Sequence, residues 1–313
     1  MPQIILHHYP RSPYAEKIRI ALGLKGLAWR SVQIPPWMPK RELMPLTGGY
    51  RRTPVMQIGA DVFCDTLLIL RQIERMQPSP TFFPPGAEAS ATALGWGMEK
   101  TIFVPVIGVI VGLTGQNYPR ELVDDRLPFF GFSLEHADML AKQAQFVNRL
   151  NAQLAWLGDM LVDGRPFLLG AAPSAADLCA YHPLWHLRRA GGDAAAAEQV
   201  LGLVPTLRPL LPWLDRIGEI GHGSPQELSA AEALEIAARA VPMEPNGDFA
   251  AASLLGLKSG EKVSITPDDH GRDPVIGRLL AVSAQEIVVR RHDERLGEIN
   301  IHFPRAGFDA AMA

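Results

Sequence analysis

The stretch Tyr9-Pro10-Arg11-Ser12-Pro13-Tyr14 joins an apolar segment at residues 3–7 to a helical pattern at residues 15–22. We interpret the apolar segment as a buried strand. Serine is a favoured helix N-cap and proline is tolerated in the first helical turn, so Ser12 and Pro13 mark the start of a helix. The stretch therefore predicts a strand that runs into a helix with a hydroxyl group at its N-terminus.

A second stretch, Arg52-Thr53-Pro54-Val55-Met56-Gln57-Ile58, extends this pattern into a small α/β domain. Residues 29–34 alternate between apolar and polar side chains, as a strand does. Short strands at 54–58 and 62–64 flank a Gly59-Ala60-Asp61 turn and predict a hairpin. A helical run follows at residues 66–76. The predicted order is β-α-β, a loop, then β-β-α, and it fills residues 1–78.

The rest of the chain divides into two parts. A proline-rich linker at residues 78–86 precedes a long helical pattern, and we assign residues 88–222 to an all-helical domain. Residues 225–313 form the last part, with a helix predicted at 226–240 and then turns and alternating strands. The strand candidates are residues 263–265, 276–282, 287–290 and 299–303. They predict a small antiparallel, barrel-like β domain of unassigned role.

The composition is that of a folded protein without a nucleic-acid partner. Hydrophobic residues make up 47% of the chain and charged residues 20%, which is enough for a substantial core. The formal net charge is −3, with acidic and basic residues interspersed. We therefore expect no basic surface that would bind nucleic acid.

The two cysteines, Cys64 and Cys179, lie far apart and belong to no metal-binding or CxxC spacing. This usage indicates a reducing compartment. The N-terminal residues lack the basic and apolar regions of a signal peptide. The most apolar run, residues 102–113, is short for a bilayer and is interrupted by proline and glycine. We expect a buried helix there, no membrane association and a cytoplasmic protein.

Three short sequence signals contain residue types that can stabilise a thiolate or bind a ligand. A helix N-terminus has unpaired N–H groups and a partial positive charge, so a thiolate held near Ser12 would be stabilised. The Thr53-Pro54 pair would expose the backbone of Thr53 to a bound peptide if its peptide bond were cis. Asp65-Thr66 opens the next helix and suits a ligand with ammonium and carboxylate groups. Each signal also has a plainer interpretation, as a helix cap or the start of an edge strand.

In this order and spacing, the three signals resemble the cytosolic glutathione transferases over residues 1–220. Ser12-Pro13-Tyr14 is similar to the Ser- or Cys-Pro-aromatic start of the serine/cysteine-type classes. The resemblance implies a thioredoxin-like N-terminal domain, an all-helical second domain and a homodimer. It also implies a detoxification role with glutathione as co-substrate and without a metal.

The resemblance implies that Ser12 activates the glutathione thiol. Tyr9 is the second candidate, since other classes use a tyrosine near the end of the first strand. Serine rather than cysteine at position 12 argues against glutathione-dependent reductase chemistry. Conjugation, isomerisation and peroxide reduction all stay open.

The same resemblance assigns the glutathione-binding residues. Thr53 would precede a cis-proline, Pro54, and its backbone would pair with the cysteinyl part of glutathione. Asp65 and Thr66 would hold the γ-glutamyl end, and Arg52 would lie near the glycyl carboxylate. The family usually has Glu-Ser where this chain has Asp65-Thr66, a change that keeps both kinds of group.

A second match lies in the helical domain, where residues 169–177 resemble the family's buried capping box. Ser174 would cap a helix and Asp177 would reach back to it, a structural role. Ligand sites often form between domains. We place the pocket for a hydrophobic electrophile there, with Tyr14, Trp96, Phe103 and Ile107 as its walls.

The competing hypothesis is a non-catalytic glutathione-transferase-like binding or scaffolding protein that acts through its C-terminal β domain. In that domain Asp268-Asp269-His270 and Asp273 cluster in one loop. Acidic residues and histidine can hold a metal, but aspartate is also a preferred turn residue. We expect a solvated turn there and no metal site.

Overall fold

The computed structural model describes residues 2–245 and 256–313. Its first unit has the predicted β-α-β, loop, β-β-α order, which confirms the thioredoxin-like fold. A single helical turn, α2, interrupts the loop before the hairpin. The elements are β1 (Ile5–His8), α1 (Pro13–Leu24), β2 (Ala28–Gln33), α2 (Met44–Thr47), β3 (Val55–Ile58), β4 (Asp61–Cys64) and α3 (Thr66–Met76).

The second unit is helical, as predicted. Its α-helices are α4 (Glu88–Thr114), α5 (Arg120–Phe130), α6 (His136–Met160), α7 (Ala175–Arg188), α8 (Ala194–Leu203) and α9 (Leu211–Gly218). Helix α4 packs against α6 and α7, and α7 packs against α1 of the first unit. A Cβ atom at Gly108 would lie 2.2 Å from the Phe146 ring, so glycine at this position allows α4 and α6 to approach closely.

Within the residues described, α4 alone is long and apolar enough to cross a membrane. Its most apolar 18-residue window has a mean hydropathy of 1.5, and 61% of that window is buried inside the protein. A core helix has this same combination of length, apolar composition and burial. The apolar run at residues 102–113 lies in this helix, in agreement with the predicted buried helix.

The C-terminal segment is rich in strands, as predicted. Its elements are β5 (Ser224–Glu227), α10 (Ala230–Arg239), β6 (Lys262–Pro267), β7 (Val275–Val282), β8 (Glu286–Asp293), β9 (Gly297–Pro304) and β10 (Phe308–Met312). The helix predicted from residue 226 begins four residues later, because residues 224–227 pair in parallel with β2. Ser229 and Glu232 form a capping box that starts α10. Strand β10 has a weak apolar alternation and was missed.

The C-terminal strands extend the sheet of the first unit instead of closing into a separate barrel. The order across the sheet is β10-β6-β7-β8-β9-β4-β3-β1-β2-β5. Strands β4 and β9 join the two parts in parallel, with Asp61 opposite Asn300 and Phe63 opposite His302. Over the described residues, one sheet of ten strands therefore contains both segments.

Both faces of the central strands are buried. Successive side chains of a strand point to opposite faces. On one face Leu6 and Phe63 belong to the core shared with the helical unit. On the other, Ile5 and Val62 pack in a second core with α10 and the C-terminal strands. The appended segment therefore covers a sheet face of the first unit as well as one of its edges.

Candidate functional site

A cavity of about 1000 Å³ has walls from the first unit, the helical unit and the C-terminal segment. The N-termini of α1 and α3 both open on it. It is lined by all the residues that the sequence assigned to catalysis, glutathione or the second substrate, which are Tyr9, Ser12, Tyr14, Arg52, Thr53, Pro54, Asp65, Thr66, Trp96, Phe103 and Ile107. The fold thus brings these separate signals to one place.

Ser12 is the N-cap of α1, as its sequence context predicts. Its Oγ accepts a hydrogen bond from Ala15 N at 3.2 Å, and the side chain is almost fully buried. Because Oγ accepts in this contact, its own hydrogen stays free to donate. That hydrogen has no acceptor within residues 2–245 and 256–313. A hydroxyl at the positive end of a helix dipole, on a cavity wall, suits a thiolate ligand.

Thr53 and Pro54 form the turn into β3, and the peptide bond between them is cis. The Thr53 Oγ1 accepts a hydrogen bond from Lys40 Nζ at 2.8 Å, and Lys40 also donates to Arg51 O. Burial lowers the pKa of Lys40 to about 7, and the charges of Arg126 and Arg51 add to this. Near neutral pH the Lys40 side chain, which lies beside Pro54, is therefore present in both its charged and its uncharged form.

Asp65 and Thr66 start α3 at the cavity wall. The Asp65 Oδ1 caps the helix by accepting from Leu67 N at 2.9 Å. Asp65 has φ 71° and ψ 139°, in a region that non-glycine residues rarely adopt. Such strain is often found at functional sites. The other Asp65 oxygen and the Thr66 hydroxyl have no hydrogen-bond partner in the described part of the chain, so both can bind a ligand.

Arg52 lies where the first unit meets the C-terminal segment. Its Nη2 donates to Asp269 Oδ1 at 2.5 Å and also to the backbone oxygen of His270. Lys100 of α4 pairs with the other oxygen of Asp269. Burial would raise the pKa of Asp269, but its bond to His270 and the charge of Arg52 hold that pKa well below its usual range.

The cavity wall at Tyr14 and Phe103 is aromatic and packs against a cluster of buried charged residues. The Tyr14 ring lies 5.0 Å from Phe103 and 4.5 Å from the ring of His182. Next to the His182 ring, Glu99 pairs with Lys17 and accepts a hydrogen bond from His182 Nε2 at 2.6 Å. Burial would raise the pKa of Glu99, but Lys17 and His182 lower it to about 2. Glu99 therefore stays ionised and holds α1 to the helical unit.

The capping box of α7 lies outside this cavity wall, in the core of the helical unit. The Asp177 Oδ2 accepts from Ser174 N at 2.9 Å, and its Oδ1 accepts from Leu168 N and Trp213 Nε1. Ser174 and Asp177 are fully buried. Their geometry indicates a structural role, in agreement with the capping-box pattern of residues 169–177.

Sequence reasoning missed several charged residues of the cavity, among them Lys17, Lys40, Glu99, Lys100 and Asp269. The first four belong to no recognisable motif and give no local signal. Asp269 was expected in a solvated turn, and this is wrong because its carboxylate pairs with Arg52 and Lys100. Over residues 2–245 and 256–313, no group of three or more His, Cys, Asp or Glu is placed to hold a metal ion.

Two family models match this chain. The model for the glutathione S-transferase N-terminal domain matches residues 6–81, and the model for the C-terminal domain matches residues 140–216. The first match includes the turn at Thr53-Pro54 and the start of α3. The second includes the capping box of α7.

Individual relatives extend these matches. The crystal structure of a GST-like protein from Pseudomonas syringae is 37% identical, covers 99% of this chain and 100% of its own, and has a TM-score of 0.74. FtsZ-localized protein A of Caulobacter vibrioides is 26% identical over 180 residues, which are 56% of this chain and 73% of that protein. The glutathione S-transferase CsGST83044 of Ceriporiopsis subvermispora, solved with glutathione, is 20% identical over 70% of this chain and 98% of its own, with a TM-score of 0.54.

Proposed function

Because the chain belongs to the glutathione S-transferase family, we propose that it is a glutathione-dependent transferase whose co-substrate binds in the cavity. Support comes above all from the meeting of two helix N-termini, at Ser12 and at Asp65-Thr66, on one cavity wall. An extended thiol peptide has an anionic sulfur in the middle and an amino-acid head group at one end. Helix N-termini stabilise anions, so the two ends of the site suit these two groups.

In the proposed reaction, the glutathione thiol releases its proton to solvent water, and Ser12 donates a hydrogen bond to the resulting thiolate. The sulfur then forms a bond to carbon of the electrophile, and the electron pair of the broken bond leaves with the displaced group. Thr53 and Pro54 would align the peptide, while Asp65 and Thr66 would hold its γ-glutamyl end. The aromatic wall at Tyr14 and Phe103 favours a hydrophobic electrophile.

The test separates thiolate stabilisation from binding. Ser12→Ala should lower turnover of an activated chloronitrobenzene about 100-fold, the range seen when one donor to a developing anion is lost. It should also raise the pKa of bound glutathione, measured from the ultraviolet absorbance of its thiolate. Thr66→Ala should instead weaken glutathione binding in titration calorimetry. This difference between the two variants is expected when Ser12 stabilises the reacting thiolate and Thr66 contributes to glutathione binding.

Two controls sharpen this test. Ser12→Thr keeps a capping hydroxyl and should retain much of the activity, which separates chemistry from loss of the cap. Tyr9→Phe tests the second candidate and should leave the thiol pKa unchanged. Full activity in Ser12→Ala, or loss of activity only in Tyr9→Phe, would contradict the assignment to Ser12.

The second candidate function is a non-catalytic module that binds a partner through the C-terminal sheet. The pairing of Arg52 with Asp269 favours it, because a residue expected at a ligand carboxylate already has a protein partner. One relative is also named for its localisation with FtsZ and not for a reaction. Absence of glutathione binding by the folded protein would favour this function.

The proposal includes the cellular setting that the family implies. We propose a cytoplasmic homodimer with a detoxification role. Sedimentation analysis of the purified chain tests the dimer, since a mass near the 34.2 kDa of one chain would contradict it.

A further inference from the structure

The guanidinium of Arg52 is held by a loop of the C-terminal segment at the cavity. Its Nη2 donates to both Asp269 Oδ1, at 2.5 Å, and the backbone oxygen of His270. Its Nε is buried and has no hydrogen-bond partner within the described residues. The side chain of Arg52 is only 13% exposed.

The contacts with Asp269 and His270 both use Nη2 of Arg52, the nitrogen that a guanidinium needs to bind a carboxylate with two hydrogen bonds. A guanidinium binds a carboxylate with two parallel hydrogen bonds, either side-on through Nε and Nη2 or end-on through Nη1 and Nη2. Both arrangements include Nη2. Nη2 has two hydrogens, and at Arg52 it already has two acceptors, Asp269 Oδ1 and the backbone oxygen of His270. A ligand carboxylate can therefore form neither arrangement until one of these contacts is released.

The loop that carries Asp269 and His270 is held against the helical unit by several contacts. Asp269 also pairs with Lys100 of α4. Gly271 N donates to Phe129 O at 2.7 Å, and the His270 ring lies 5.2 Å from the Phe129 ring. A Cβ at Gly271 would lie 2.6 Å from the Phe129 ring, so only glycine permits this approach. The loop thus connects Arg52 of the first unit with α4 and α5 of the helical unit.

We propose that Asp269 is a specificity-determining residue that occupies the carboxylate position at Arg52, so that the cavity selects a thiol peptide with a blocked terminal carboxylate. This rests on the proposed binding of a glutathione-like peptide in the same cavity. A peptide that has a neutral carboxamide in place of its terminal carboxylate can bind without displacing the Asp269 carboxylate from Arg52. Its N–H group can donate to Asp269, whereas a free carboxylate meets a like charge there.

The test compares glutathione with glutathione amide, in which a carboxamide replaces the glycyl carboxylate. Titration calorimetry on the unaltered protein should give about tenfold tighter binding of the amide, the effect of one charged hydrogen bond. Asp269→Asn should tighten binding of the free acid about tenfold, because the like charge is lost, and should weaken binding of the amide severalfold, because its N–H group then meets an uncharged acceptor. Glu294→Gln is the matched control, since it removes one exposed carboxylate of the same segment that does not line the cavity.

The outcomes separate this proposal from the proposed function. Tighter binding of the free acid than the amide by the unaltered protein, with the same preference in Asp269→Asn, would overturn the role of Asp269. A gain in acid binding that appears equally in Glu294→Gln would also overturn it, because net charge would then be the cause. If neither peptide binds, and circular dichroism shows folded protein, the proposed function fails and this inference with it.

Discussion

Two of the regions in which the C-terminal segment contacts the first unit differ in burial. One is the sheet junction, where β9 pairs with β4 through Asp61, Asn300 and His302. The other is the cavity loop, where Asp269 and His270 contact Arg52. Both use charged groups, but only the second lines the cavity.

At the sheet junction each polar group of the network has a protein partner. The Asp61 Oδ1 accepts from Asn300 Nδ2 at 3.0 Å and His302 Nε2 at 2.9 Å, and its Oδ2 accepts from Met243 N. His302 Nδ1 lies 2.8 Å from Glu286 Oε1. Asp61 and His302 are almost fully buried, and the Phe63 ring stacks on His302 at 4.3 Å.

At the cavity loop the corresponding groups are partly open. The side chains of Asp269 and Lys100 are 28% and 40% exposed. Exposed ion pairs contribute little to stability, whereas removing one partner of a buried pair is costly. We therefore expect the sheet junction to fix the segment in place, and the loop contact to exchange with a ligand.

The largest expected effect is at the sheet junction. Asp61→Ala would leave the Asn300 amide, the His302 ring and Met243 N without their acceptor. We expect the free energy of unfolding to fall by about 3–5 kcal/mol, the cost of removing one partner of a buried ion pair. Urea denaturation of the variant measures this. A loss below 1 kcal/mol would mean that the junction is no stronger than a surface contact.

The next effect depends on pH. Burial would lower the pKa of His302, but hydrogen bonds to Asp61 and Glu286 outweigh this and raise the pKa above its ordinary 6.5. The folded state therefore holds a proton that the unfolded state has released between pH 6.5 and the raised pKa. Stability should fall as pH rises through that window, by at most about 1.4 kcal/mol per pH unit.

Urea midpoints of the unaltered protein and of His302→Gln test this pH dependence. Their difference should be largest below pH 6.5 and shrink as pH rises. Burial lowers the pKa of His7 to about 4, so His7 titrates below this window and with the opposite sign. A difference that stays constant with pH would show that His302 is not charged in the folded protein.

The smallest effect is at the cavity loop. Asp269→Asn should change the free energy of unfolding by no more than about 1 kcal/mol, because its ion pairs are partly exposed. Urea denaturation again measures it, beside the binding changes expected for the same variant. A loss as large as that of Asp61→Ala would show that the loop also fixes the segment, and would remove the distinction between the two regions.

The candidate site was largely predictable because its signals are local. Ser12, Thr53-Pro54 and Asp65-Thr66 each combine a cap or a turn with a secondary-structure boundary, and such boundaries depend on neighbouring residues. Lys40 and Lys100 give no comparable signal. Their place in the cavity depends on contacts between distant segments.

Local sequence patterns were enough to predict the strand-helix order of the first unit, the helical unit, strands β6 to β9 of the C-terminal segment, and the caps at Ser12 and Ser174. Periodicity and capping act over a few residues, so one chain is enough to show them. Three features depend on long-range contacts instead: β9 joins β4, Asp61 is a buried acceptor and not a turn residue, and Asp269 reaches Arg52. These contacts span more than 200 positions in the chain, and no local pattern encodes which polar group a buried partner will meet.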